Sequence, residues 1–130
     1  MLDSTMRRLI PHTVNTFAKL EHGEPYHFDS WATDNTNTPC LYYWFMARNG
    51  VTKRKKRVPV YEIGVALRRL LGDGMLRSDR FREVCPVAES DGPCGFAVVG
   101  RIFEALDVAA YAGRRRGFRL TDAQRAQKLL

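Results

Sequence analysis

The sequence predicts an α+β fold built of short helices and hairpins, on three observations. Phe96, Val99, Ile102, Phe103 and Leu106 recur at three- and four-residue steps, which places them on one face of a helix. Asn49-Gly50 stands between two β-prone runs, LYYWFMAR and VTKRKKRV, the strongest short-range hairpin signal. Gly113 and Gly117 bracket the consecutive arginines Arg114, Arg115 and Arg116 between two further β-compatible runs. A helix over 93–106 followed by an arginine-tipped hairpin over 108–120 is therefore the unit around which the rest is arranged.

Residues 4–20 read as a docking or dimer-forming helix with Met6, Leu9, Ile10, Val14 and Phe17 inward and Pro11 as a bend or a start. Residues 22–40 are rich in turn formers and show no sustained period, so they read as loop, with one turn over Phe28 to Ala32. In the hairpin over 40–58, a two-residue turn sets the register: Arg48 faces Val51, and Met46, Trp44 and Tyr42 oppose Lys53, Lys55 and Arg57. The other face pairs Phe45 with Arg54 and Tyr43 with Lys56.

Ile63, Ala66, Leu67, Leu70 and Leu71 make the inner face of a helix over 59–71, stopped by Gly72 and Gly74. A short strand over 75–77 and a helix over 78–85, capped by Ser78 and ended by Pro86, come next. A loop, VAESDG, leads to the central helix, where Asp91 or Gly92 is the expected cap and Pro93 the first residue. Thr121 or Asp122 caps a final helix that could pair with a second copy. The expected division is an N-terminal helix, loop and basic/aromatic hairpin over 1–57, a domain over 58–120 and a helical tail over 121–130.

Charge narrows the functional classes. The formal net charge is +7, and it is uneven: residues 1–50 hold four Lys/Arg against five Asp/Glu, whereas from Val51 onward there are seventeen against nine. A basic surplus confined to one part of a chain is a footprint for a polyanion, and nucleic acid is the commonest one. There is no apolar run of membrane-spanning length, so the expectation is a cytoplasmic protein, nucleoid-associated in a prokaryote, with no membrane partner. Cys40, Cys85 and Cys94 cannot all pair within the chain, which fits a reducing compartment.

Chemistry-bearing patterns are sparse. His12, His22, His27 and the cysteines lack the close paired spacing of zinc ligands, and no metal or other cofactor is expected. The carboxylates form no nuclease-like constellation, and there is no P-loop, nucleophile elbow or G-x-G-x-x-G. The expectation is a binding protein and no enzyme, with a nuclease as the remote alternative.

The order helix, short strand, helix, turn, helix, hairpin, with the GRRRG tip, resembles the winged helix-turn-helix superfamily over residues 58–120. The resemblance implies a three-helix core with a β-hairpin wing, the helix over 93–106 in a major groove, and the wing on the backbone or minor groove of double-stranded DNA. On the solvent face of that helix only Arg101 is a good base-edge donor, beside Ala97, Gly100, Glu104 and Ala105, and such small residues permit close approach of DNA or of a partner protein. Lys53, Arg54, Lys55, Lys56, Arg57, Arg114, Arg115, Arg116 and Arg119 are the expected phosphate contacts. Arg101, with Tyr42 or Trp44, is expected to supply selectivity. The alternatives are an RNA- or single-strand-binding module in which the aromatics stack on unpaired bases, and a protein-interaction subunit of a nucleic-acid-processing complex, such as a defence or restriction assembly.

Overall fold

Helix α1 (Leu2–Leu9) buries Leu2 and Met6 and stops at Ile10, which is extended at φ −113°, ψ 119°. That is the conformation a residue before proline prefers, so Pro11 ends the helix. The segment expected to continue it instead forms β1 (Thr16–Phe17), which pairs with β2 (Tyr26–Thr33). A strand of eight residues thus occupies ground expected to be loop. The cause is a bulge: Phe28 pairs with Tyr43 but Ser30 with Tyr42, leaving Asp29 extra. Period-2 alternation breaks there, so Tyr26, Phe28 and Trp31 do not read as one face.

Strand β3 (Pro39–Met46) and β4 (Lys53–Pro59) complete a sheet of order β1-β2-β3-β4. The register is the expected one, with Tyr42, Trp44 and Met46 opposite Arg57, Lys55 and Lys53. The turn differs. Ala47 and Thr52 close it (N–H to O, 2.8 Å), so the loop holds four residues, with only Gly50 left-handed at φ 70°. Asn49 contributes through its side chain instead: Oδ1 accepts from the N–H groups of Val51 (2.9 Å) and Thr52 (3.0 Å).

Strand β4 runs directly into α2 (Val60–Asp73), which ends in left-handed Gly74 with its N–H on the Leu70 carbonyl. The expected boundary at 57/58 therefore falls inside a strand. One cluster of 29 buried residues joins Leu2, Met6 and Phe17 to Leu67, Phe103 and Leu129, so the segments expected as separate units share a core.

Beyond α2 come β5 (Met75–Leu76), a 3-10 turn (Ser78–Arg80), α3 (Phe81–Val84), α4 (Pro86–Ser90), α5 (Cys94–Ala105), β6 (Ala109–Tyr111), β7 (Phe118–Leu120) and α6 (Ala123–Leu129). The second sheet has the order β5-β7-β6. The computed structural model is α+β, with six α-helices and two antiparallel sheets. Two details depart from expectation. The VAESDG stretch is mostly helix α4, and Asp91 does not cap α5 but holds Arg57. Asp122 does cap α6, accepting from Arg125 N–H at 2.9 Å, and Ala126 and Leu129 are buried in the chain's own core.

Gly100, on the face of α5 expected to be open, is packed on the hairpin behind it. A Cβ there would fall 2.0 Å from Cε2 of Phe118, a fully buried ring set edge-on to Phe96 at 5.5 Å. The ring is hemmed in and cannot swing away. Gly100→Ala is therefore expected to destabilise the fold by about 2–3 kcal/mol, read as a lower urea midpoint.

Candidate nucleic-acid interface

Alternation along β3 sends Leu41 and Tyr43 into the core and leaves Tyr42 and Trp44 half-buried on the outer face of the four-stranded sheet. Strand β4 lays its lysines over them. Lys53 Nζ sits 4.1 Å from the Trp44 ring centre, and Lys55 Nζ 4.9 Å from that of Tyr42. From β2, His27 stacks on Trp44 at 4.3 Å and 18° between planes. Trp44 thus has His27 of β2 stacked on its ring and Lys53 of β4 over it, and is half-buried. Lys55 also pairs with bulged Asp29 at 3.1 Å.

Arg57 belongs to a different arrangement. Its Nη1 donates to Asp91 Oδ1 at 2.9 Å, its backbone N–H donates to Asp91 Oδ2 at 3.1 Å, and Nε lies 3.3 Å from Asp34 Oδ2 as an ion pair without a hydrogen bond. Burial works against its charge, and Asp91 and then Asp34 outweigh it, leaving the Arg57 pKa raised. The guanidinium fastens β4 to the β2–β3 connection and to the segment after α4, so it is not available to a phosphate.

Asp34 organises that connection. Its Oδ1 accepts from Thr36 Oγ1 (2.6 Å), Thr36 N–H (2.9 Å) and Thr38 N–H (3.1 Å), and its side chain is 7% exposed. These bonds, the Thr36 hydroxyl first and Arg57 last, lower its pKa from 3.8 to about 2. A depressed carboxyl pKa contributes stability that is complete above 3.8 and is lost as pH falls through about 2. Thr36→Val, which removes the 2.6 Å hydroxyl donor, is therefore expected to raise the Asp34 pKa, as read by an NMR titration of its carboxyl carbon.

Other cations remain free. Arg54 is exposed and Lys56 half-buried, opposite Phe45 and Tyr43, and neither has a carboxylate within ion-pair distance; nor has Lys53. At the second hairpin, Arg114 pairs with Glu21 at 3.3 Å while remaining 86% exposed. Arg115 and Arg116 are exposed without partners, and Arg119 is exposed on β7 between Met75 and Ala110. Gly117 holds this hairpin close to β5, because at φ 82° a Cβ would meet the Leu76 carbonyl oxygen at 2.2 Å.

Helix α5 is buried on nearly every side: Gly95 to Gly100, Ile102 and Phe103 are all in the interior. Arg101, expected to reach a base edge, donates to the Ala18 carbonyl (3.0 Å), the Lys19 carbonyl (3.1 Å) and Glu104 (2.7 Å), and covers the rings of Tyr111 and Phe118. The connection between β1 and β2 lies across this face. The face expected to meet DNA or a partner protein is filled by the chain itself.

Among protein-family models, curated proteins and solved structures, none matches this chain. Its functional reading rests on the two hairpins. No three His, Cys, Asp or Glu side chains are grouped so as to hold a metal ion, and no helix is long and apolar enough to cross a membrane. Sequence reasoning missed His27, hidden in a stretch read as loop, and Asp34 and Asp91, which separate Arg57 from the free cations. An available signal was the absence of Asp and Glu from Asn35 through Tyr61, a span that holds Arg48 and the whole KRKKR run.

Proposed function

We propose that this chain is a non-catalytic double-stranded DNA-binding protein that grips phosphates with two β-hairpins, its second half being of winged-helix type with β6–β7 as the wing. The strand order β5-β7-β6 behind α2, α3 and α5 supports the winged-helix part. The observation that carries the function is a set of cations without a carboxylate partner on both hairpins, Lys53, Arg54 and Lys56 with Arg48 at the turn on one, and Arg115, Arg116 and Arg119 on the other. Cations left free of internal carboxylates keep their full attraction for an external polyanion.

Duplex is favoured over single strands by Trp44. A stacking platform needs an open aromatic face, and His27 already stacks on the Trp44 ring at 4.3 Å. Helix α5 positions the wing and does not enter a groove.

The test is binding to random-sequence duplex DNA, single-stranded DNA and duplex RNA across a salt series. Six phosphate contacts give duplex DNA a log–log salt slope of about −5. Weak, salt-insensitive binding to all three overturns nucleic-acid binding. A preference for single strands with quenching of Trp44, or for duplex RNA, overturns the duplex-DNA reading.

A further inference from the structure

The tip of the β3–β4 hairpin carries a feature that phosphate binding does not use. Val51 is 80% exposed and Met46 40% exposed, the two most exposed large hydrophobics of the sheet region. Both stand among cations: Arg48 opens the loop, and Lys53 and Arg54 follow it. Single exposed apolar residues are common on protein surfaces, but this one is held in a rigid setting. Asn49 Oδ1 accepts from the N–H groups of Val51 and Thr52, Asn49 Nδ2 donates to Thr52 Oγ1 at 3.0 Å, and Gly50 N–H donates to the Ala47 carbonyl at 2.9 Å. Four hydrogen bonds and the Ala47–Thr52 closure order the loop, and at its tip a Cβ at Gly50 would have no neighbour within 4 Å. A preordered apolar tip needs little ordering on binding.

The arm also has reach. Pairing of β3 with β2 stops at Trp44, and the Phe45 ring still packs edge-on to Tyr26 at 5.6 Å, so the ribbon from Met46 to Ala47 and its turn extend about 7 Å beyond the sheet. The minor groove of B-DNA is about 7.5 Å deep and about 6 Å wide, whereas paired strands lie about 4.8 Å apart before side chains are counted. Depth is matched, but width is insufficient unless the groove opens. Apolar side chains driven between base steps open it by kinking the duplex toward the major groove.

We infer that the β3–β4 arm enters the minor groove and inserts Val51, backed by Met46, as an apolar wedge that bends the duplex. This inference rests on the duplex-binding reading above. Lys53 and Arg54 would then flank the groove on its phosphate walls while the wing arginines hold the duplex elsewhere. The ligand class is deformable duplex DNA, in which flexible pyrimidine–purine steps are the least costly to kink.

The experiment is end-to-end fluorescence transfer on a short duplex with a central TA step, using the full chain and Val51→Ser, alongside the salt series. The expected result is shortening of the duplex by the wild type, and, for Val51→Ser, lost bending with an unchanged salt slope and about tenfold weaker binding, the factor for leaving one valine side chain in water. A duplex already kinked by a central bulge is expected to bind Val51→Ser more tightly than the straight duplex does, because no bending energy remains to be supplied. Val51 is exposed, so an unchanged melting temperature shows that the fold is intact. Salt-sensitive binding without bending, or equal bending by Val51→Ser, overturns the wedge and leaves the duplex-binding reading standing. Absence of salt-sensitive duplex binding overturns both.

Discussion

Replacing Lys53, Arg54, Lys56, Arg115, Arg116 and Arg119 together by alanine is expected to abolish salt-sensitive duplex binding while leaving the fold intact. None of the six pairs with a carboxylate, so removal orphans no partner. Each phosphate contact contributes about 0.9 to the salt slope, so either hairpin's three substitutions alone lower it by about 3, and the two sets add because they lie on separate hairpins. Arg57→Ala and Arg101→Ala are the contrasting pair. Both arginines hold the chain to itself, through Asp34 and Asp91 and through the Ala18 and Lys19 carbonyls respectively. These two changes are expected to lower the melting temperature and to leave the slope nearly unchanged. An unchanged slope in the six-fold variant, measured by fluorescence anisotropy across the salt series, would show that the hairpins are solvated surface and no more.

What the residues disclosed follows a physical division. The β3–β4 register was legible because Asn49-Gly50 is a local signal, and pairing outward from it needs no tertiary knowledge. The β6–β7 hairpin was legible for the same reason, with glycines at both ends of its tip. Strand β2 was illegible because the Asp29 bulge breaks its alternation, and its partners lie across β3 and β1. The role of α5 was misread from one face. Phe96, Val99, Ile102 and Phe103 have the helical period, but Ala97, Val98 and Gly100 fill the remaining sides with small or apolar groups, and a helix apolar all round is a buried one. Gly100 was read as room for DNA when the room belongs to Phe118. Within KRKKR, charge was legible but partnership was not. Asp34 and Asp91 reach Arg57 from sequence-distant segments, and only their positions distinguish it from Lys53.

Glu62 is the case in which a distant side chain creates an element that its own sequence would not. It is fully buried, and its two oxygens accept from the N–H groups of Val87 and Ala88, each at 2.9 Å. These are free donors of the first turn of α4, a five-residue helix with Pro86 at its start and no capping side chain of its own. A carboxylate at a helix start satisfies the donors and complements the dipole, so α4 is capped from α2 and not from its own N-cap. The Cys85 thiol beside it donates to the Glu62 carbonyl at 3.4 Å, and burial first, then Glu62, raises its pKa. Glu62→Ala leaves the buried Ala88 N–H and the half-buried Val87 N–H without partners, an expected loss of about 3 kcal/mol. Glu62→Gln keeps one acceptor but turns an amide N–H toward the other donor, so it is expected to lose about half as much, about 1.5 kcal/mol. The consequence travels to the basic arm, because Asp91, just past α4, grips Arg57 at the root of β4. Glu62→Ala is therefore expected to speed amide exchange of Val87, Ala88 and Arg57 together, measured by NMR, while Gly117 at the other hairpin stays protected. Loss of protection at Val87 and Ala88 alone would mean that Asp91 holds the arm independently of the helix that precedes it.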